Sequence, residues 1–171
     1  MATDYEQFYR DNKQGLGTPA KPFEDFFQTY GKSAARILDV GCGQGRDALF
    51  IARLGHQVTA VDLSPTGIAD LRADAAREGL RIDAHVGDIR TFDWPGPFDV
   101  IVIDRTLHML AEEAARTAVL ERLLSQTVEG SSVLIADERA NLPAFERGFA
   151  QSAATWRPLY RRGGYMFMGR A

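Results

Sequence analysis

Between Ile37 and Gly45 the chain reads Ile-Leu-Asp-Val-Gly-Cys-Gly-Gln-Gly, a short apolar run that breaks into three alternating glycines. The run predicts a buried strand. Gly41, Gly43 and Gly45 predict a turn that takes positive φ and brings its backbone N–H groups close to a ligand. A helix opening at Arg46 would aim the positive end of its dipole into that turn. Val58-Thr-Ala-Val-Asp62 is a second apolar strand, closed by a carboxylate. Strand, glycine turn, helix, strand and an acid about 20 residues past the first glycine form an arrangement that binds a ribose-bearing cofactor. A nicotinamide dinucleotide site wants its third glycine one place later, where this chain has Arg46. A bulky cation there opposes close helix–strand packing.

Strand and helix signals go on alternating downstream. Strands are expected over 36–40, 57–62, 81–86, 98–104 and 132–136, with helices over 46–54, 64–78 and about 112–127 between them. Ser64 and Pro65 read as cap and first position of the second of these helices, and Gly79 as its stop. After strand five the pattern changes to a short helix, 142–152, and two strands, 156–161 and 165–169, joined by Gly163-Gly164. That dipeptide signals a hairpin. Ahead of the alternation, Pro22 opens a helix whose Phe23, Phe26, Phe27 and Tyr30 recur at helical spacing and predict a face packed on the sheet. Residues 1–20 are polar with interleaved Tyr5, Phe8 and Tyr9, followed by Gly15 and Gly17; such a stretch either frays or folds over something as a lid.

At 171 residues, 45% hydrophobic and 25% charged, the chain suits one globular domain, 1–171. A net charge of −3 gives no global electrostatic case for nucleic acid or an anionic membrane. The lone Cys42 cannot form an intrachain disulfide, which points to a reducing cytoplasm; it reads as a small residue fitting a crowded turn rather than a reactive thiol. No apolar run approaches a membrane span, and Met1-Ala-Thr-Asp-Tyr-Glu lacks the basic start of a signal peptide. Three scattered histidines argue against a structural metal; His56 and His85 read as surface or strand-edge residues.

Asp39-Val-Gly-Cys-Gly-Gln-Gly-Arg-Asp47, with Leu54-Gly-His-Gln-Val-Thr-Ala-Val-Asp62, resembles the cofactor motifs of the class I S-adenosylmethionine-dependent methyltransferases. The likeness is nearest to the small tellurite-resistance and thiopurine methyltransferase-like groups. It implies an α/β, Rossmann-like, doubly wound and mostly parallel seven-stranded sheet with an antiparallel C-terminal hairpin. It also implies S-adenosyl-L-methionine as cofactor, with Gly41, Cys42, Gly43 and Gly45 lining its amino-acid end and ribose. Asp62 would accept from both ribose hydroxyls and Leu63 would touch the adenine face. Asp88 would accept from the adenine amino group while the Ile89 backbone meets the ring. Asp39 either helps hold the cofactor's α-amino group or fixes the glycine turn by accepting backbone N–H bonds.

In an open α/β sheet the end of strand four, Asp104-Arg105-Thr106-Leu107-His108, should face the transferred methyl. Asp104, His108 and Tyr9 are the candidate catalytic residues, His108 either as general base or as a hydrogen-bonded turn residue. Arg105 either attracts an anionic substrate or pairs with Asp104. The rest of an acceptor pocket would come from Tyr5, Phe8, Tyr9 and Asp137-Glu138-Arg139. A small-molecule acceptor is therefore favoured. A nucleic-acid or protein acceptor finds encouragement only in Arg157, Arg161, Arg162 and Arg170, which also read as a solvated face, and a non-catalytic cofactor-binding subunit is the other rival.

Overall fold

A computed structural model of the chain describes residues 4–13 and 15–171; Met1, Ala2, Thr3 and Gln14 of the expected lid lie outside the described residues. Packing divides the chain into two compact units, Met1–Ile89 and Arg90–Ala171.

In the first unit, β1 (Arg36–Val40), β2 (Gln57–Asp62) and β3 (Ile82–Val86) pair in parallel, with Val40 beside Val61 and Asp62 beside Val86. Ile37, Leu38, Val40, Val58, Ala60 and Val61 are buried, the continuous apolar pattern of strands covered on both faces. Helix α3 (Arg46–Arg53) begins at Gly45 in the left-handed region, with φ 85°. Helix α4 (Pro65–Glu78) is capped by Ser64, whose hydroxyl accepts from the Gly67 N–H, and is stopped by left-handed Gly79. Both ends of α4 are set by local chemistry, so the sequence expectation holds to the residue.

Two N-terminal helices complete this unit: α1 (Tyr5–Asp11) and α2 (Lys21–Thr29). Phe23 and Phe27 of α2 are buried, and Phe26 stacks on Tyr30 at 5.3 Å. His56 departs from its expected surface position. It is 8% exposed, its ring lies 5.8 Å from Phe27, and its Nδ1 accepts from the Ala35 N–H. An aromatic helix face offers a half-polar ring both packing and a hydrogen bond, which spacing alone does not reveal.

In the second unit, β4 (Phe98–Asp104) pairs in parallel with β5 (Thr127–Ala136). β7 (Tyr165–Arg170) lies antiparallel to β5 and to β6 (Trp156–Arg162), its hairpin partner. Helices α5 (Glu113–Leu124) and α6 (Leu142–Gln151) bury Leu120, Leu123, Phe145 and Phe149. β5 starts five residues earlier than expected and α5 ends three earlier. Ser131 explains the difference. Its hydroxyl accepts from the Val128 N–H and donates to the Phe98 carbonyl, carrying the strand across a register shift between Phe98 and Val100. The seven strands run β3-β2-β1-β4-β5-β7-β6, a mostly parallel α/β sheet ending in the expected antiparallel hairpin.

Candidate active site

The glycine turn is held from β2. The N–H groups of Gly41 and Cys42 donate to the Val61 carbonyl, at 2.7 and 3.1 Å, and the Gly43 N–H donates to Asp62 Oδ2 at 2.8 Å. These three groups are therefore turned to the protein, which corrects the expectation of an N–H cradle for a ligand. The turn is so tight that its donors are consumed in closing it. At Gly45 a Cβ would overlap the Leu71 side chain, so this glycine lets α3 pack against α4. Asp39 is 2% exposed, in β1 just ahead of the turn. Cys42 is buried, and burial with the nearby Asp39 and Asp62 carboxylates pushes its thiol well up, so it is no nucleophile.

Asp62 is half-buried at the end of β2. Its Oδ1 accepts from the Ser64 N–H at 2.8 Å and its Oδ2 from Gly43, with the Leu63 N–H a further donor to the carboxylate. Burial raises its pKa above 3.8 against the lowering effect of backbone bonds from Ser64, Gly43 and Leu63. Leu63 and Val86, 69% and 48% exposed, stand beside it as bare apolar surface at the ends of β2 and β3. Asp88 and Ile89 follow β3, where the Gly87 N–H is tied to the Asp62 carbonyl at 2.9 Å. A carboxylate between exposed apolar side chains fits a ribose and a flat ring.

Helix α1 docks on this turn. Tyr9 is 4% exposed, and a Cβ on Gly43 would overlap its hydroxyl. Burial and the Asp62 charge raise the Tyr9 pKa, so the phenol stays a neutral donor and is unsuited as a base. Glu6 latches the helix in place: its carboxylate accepts from the Ser64 hydroxyl and from Thr66 Oγ1 (2.5 Å) and N (3.3 Å) at the start of α4. Lys13 pairs with Asp70. Gln44 donates to the Asn12 carbonyl at 2.8 Å and to Asp70 at 2.9 Å, and its Oε1 accepts from the Gly15 N–H. Gly15 is thereby pinned and packed against Phe8, so the hinge expected of Gly15 and Gly17 has only Gly17, with open space about it. Tyr5 and Phe8 ring the same helix, 6.3 Å apart.

The second unit holds the other candidates. Asp104 is half-buried at the end of β4, and Arg105 beyond it takes φ 52°. His108 sits in a 3-10 turn, Leu107–Met109, with its N–H donating to Asp137 Oδ2 at 3.1 Å. His108 Nδ1 is buried without a hydrogen-bond partner. Asp137 Oδ1 accepts from Glu138 N (2.8 Å) and Asn141 Nδ2 (2.7 Å), and the Asp137 N–H donates to Gly164. One buried carboxylate thus fastens the turns after β4 and β5.

Residues 37–129, more than half of the chain, match the methyltransferase domain family. The chain belongs to that family. This methyltransferase domain is 31% identical over 115 residues to a ubiquinone biosynthesis O-methyltransferase of Xanthomonas euvesicatoria pv. vesicatoria (strain 85-10), covering 66% of this chain and 47% of that one. It is 30% identical over 104 residues to a probable S-adenosyl-L-methionine-dependent methyltransferase TehB of Haemophilus influenzae (strain 10810), covering 61% and 36%. The chain thus spans half or less of the length of these curated relatives. A putative S-adenosyl-L-methionine-dependent methyltransferase from Methanococcus maripaludis shares the fold, with a TM-score of 0.76 at 14% identity over 99% of this chain and 94% of that one. The class I, S-adenosylmethionine-dependent kind expected from the glycine and Asp62 motifs, near the TehB-like members, is the kind found.

Sequence reasoning missed several residues that shape this methyltransferase site. Glu6 and Asp70 lie outside every motif and Gln44 is an open position within one; Glu6 reaches Thr66 because α1 folds back onto α4, and Gln44 reaches Asp70 because the glycine turn packs beside that helix. A carboxylate at the start of α4 was foreseeable from the helix dipole, but which one was not. Among the described residues, no helix is long and apolar enough to cross a membrane, and no three His, Cys, Asp or Glu side chains converge on a metal position.

Proposed function

We propose that this methyltransferase transfers a methyl group from S-adenosyl-L-methionine to a nucleophile on a small molecule. The observation that carries the reading is Asp62, a carboxylate tied to the glycine turn and flanked by exposed Leu63 and Val86. Asp62 would receive the ribose hydroxyls, Leu63 and Val86 the adenine face, and Asp88 and Ile89 its edge, with Tyr9 donating from α1. Bound S-adenosylmethionine supplies a methyl on a sulfonium whose leaving group is already activated. What remains for the protein is to position groups, exclude water and remove a proton where the nucleophile demands it. His108 is the residue suited to removing that proton, since its N–H is held by Asp137 and its buried Nδ1 has no other partner to satisfy it. Asp104, at the strand end beside it in sequence, would orient the acceptor.

A small acceptor agrees with a relative named for ubiquinone biosynthesis. It agrees also with the state of the terminal hairpin, where Arg161 is paired with Glu146 and Arg170 donates to Thr127. Two of the four arginines that encouraged a nucleic-acid reading are thus engaged within the fold. Calorimetry with S-adenosylmethionine and with NAD, followed by a small-molecule acceptor screen, tests the proposal. Binding of the first alone, with turnover that falls in His108→Gln while cofactor affinity holds, is the expected result. Tight binding with no turnover on any acceptor would make the chain a cofactor-binding subunit.

We also propose that α1 acts as a lid. The hydroxyls of Ser64 and Thr66 hold the Glu6 carboxyl down to about 2, against an ordinary 4.5. A depressed carboxylate supports docking above its unfolded value and loses that support as pH falls, so the latch is closed at neutral pH and opens between about 4.5 and 2. Deleting residues 1–14 is expected to leave cofactor affinity within about tenfold, ~1.4 kcal/mol, and to lower turnover further than that. Unchanged turnover would reduce the helix to a structural strap.

A further inference from the structure

Five arginine side chains have no hydrogen-bond or ion-pair partner among the described residues: Arg81, Arg105, Arg139, Arg157 and Arg162. Three of them gather at one end of one sheet. β4 and β5 run parallel and finish together at Asp104 and Ala136, and the hairpin turn between β6 and β7 lies at that same end, with Tyr165 beside Ala136. Arg105 follows β4, Arg139 follows β5, and Arg162 closes β6. Arg157, by contrast, sits at the far end of β6, and Arg81 belongs to the other unit.

The fold holds the three together. The Arg105 N–H donates to the Ala136 carbonyl at 2.8 Å, and the Asp137 N–H donates to Gly164 at 2.9 Å. Gly164 is pressed so closely on Asp137 that a Cβ would overlap its carbonyl. The Arg139 guanidinium lies against Gly163, its Nη2 3.6 Å from where a Cβ would stand. Arg105 and Arg139 follow neighbouring strands, about 4.8 Å apart, and Arg162 adjoins the Gly163 that Arg139 lies against, so side chains with an arginine's reach can approach one oxyanion. The carboxylates that would neutralise them are engaged elsewhere: Asp137 in three hydrogen bonds and Glu146 with Arg161. Exposed Glu138 and half-buried Asp104 are the remaining acids at this end.

Arg105 adds an independent sign. Its φ of 52° is one of two positive values among the described non-glycine residues. A left-handed backbone at a long side chain is strained and persists where the surroundings enforce it, as at ligand sites. Three residues along the same turn, His108 presents a buried Nδ1 without a partner. A strained cation and an unsatisfied imidazole nitrogen on one turn describe a site with two demands, an anion to hold and a proton to take.

We infer that the methyl acceptor is an anionic small molecule, its carboxylate or phosphate group received by Arg105, Arg139 and Arg162. This rests on the methyltransferase reading for the word acceptor, but the anion site is tested separately. Amide NMR titrations of the wild-type chain, with and without S-adenosylhomocysteine, use benzoate, phenyl phosphate and neutral benzamide as probes. Benzoate or phenyl phosphate is expected to saturate with shifts centred on Arg105, Arg139 and Gly163, and the tighter of the two names the anion. The Arg105→Gln/Arg139→Gln chain is expected to bind that probe at least tenfold more weakly and to keep its affinity for S-adenosylhomocysteine. Benzamide binding as well as the anions, or a double variant that binds them like the parent, overturns the inference. So does short duplex DNA competing at these amides more tightly than either small anion, with steep loss in salt, which would assign the arginines to a nucleic acid. If S-adenosylhomocysteine fails to bind while the anions do, the methyltransferase reading falls and the anion site stands.

Discussion

Gly43→Val is expected to lower affinity for S-adenosylmethionine by at least about 100-fold, ~2.7 kcal/mol, in a chain that still folds. Gly43 takes φ 54°, where a β-branched residue is a steric outlier. The added Cβ would also overlap the Tyr9 hydroxyl and stand 3.1 Å from Leu16. Strain would move the turn that Asp62 grips, and the clash would lift α1 from it. Gly79→Val is the control. Gly79 has a comparable φ of 67° at the end of α4 but nothing within 4 Å of its Cβ position. That variant is expected to lose stability and keep the cofactor. Calorimetry on both, alongside thermal melts, separates backbone strain from damage to the site; equal binding by Gly43→Val would remove the turn from it.

Asp62→Ala is expected to weaken the cofactor by about 1.5–3 kcal/mol, the range for hydrogen bonds to a charged group. The Gly43 and Ser64 N–H groups would lose their acceptor at the same time, so the turn and the start of α4 should loosen together. A pH series sharpens the test. Burial sets the Asp62 pKa above 3.8, so its charge, and the cofactor affinity that depends on it, is lost on acidification at a higher pH than for an exposed aspartate. An affinity that is flat through that range, or unchanged in the alanine variant, would sink the assigned role.

Much of this was legible beforehand because it depends on neighbours in sequence. The Ser64–Pro65 cap, the Gly79 stop and the hydrophobic periods of β1, β2 and β4 are set within about one helical turn or a few strand residues. Ser131 shows where such reading ends: its hydroxyl looks like loop chemistry, yet it stitches β5 to a carbonyl 33 residues away.

The alternation of strands and helices, the glycines at 41, 43 and 45 and the acid at 62 determined by themselves the fold class and a ribose-bearing cofactor, and the motif they form carried the resemblance to the family. Those are choices of backbone conformation and period, which a residue's own side chain imposes. Only the tertiary structure decided what each group touches. It turned the N–H groups of the glycine turn inward, gave Gly45 to Leu71 and buried His56. It also brought Glu6 across 60 residues of chain to Thr66. A hydrogen bond over that separation forms only after packing has delivered its partners, and local propensity carries no record of it.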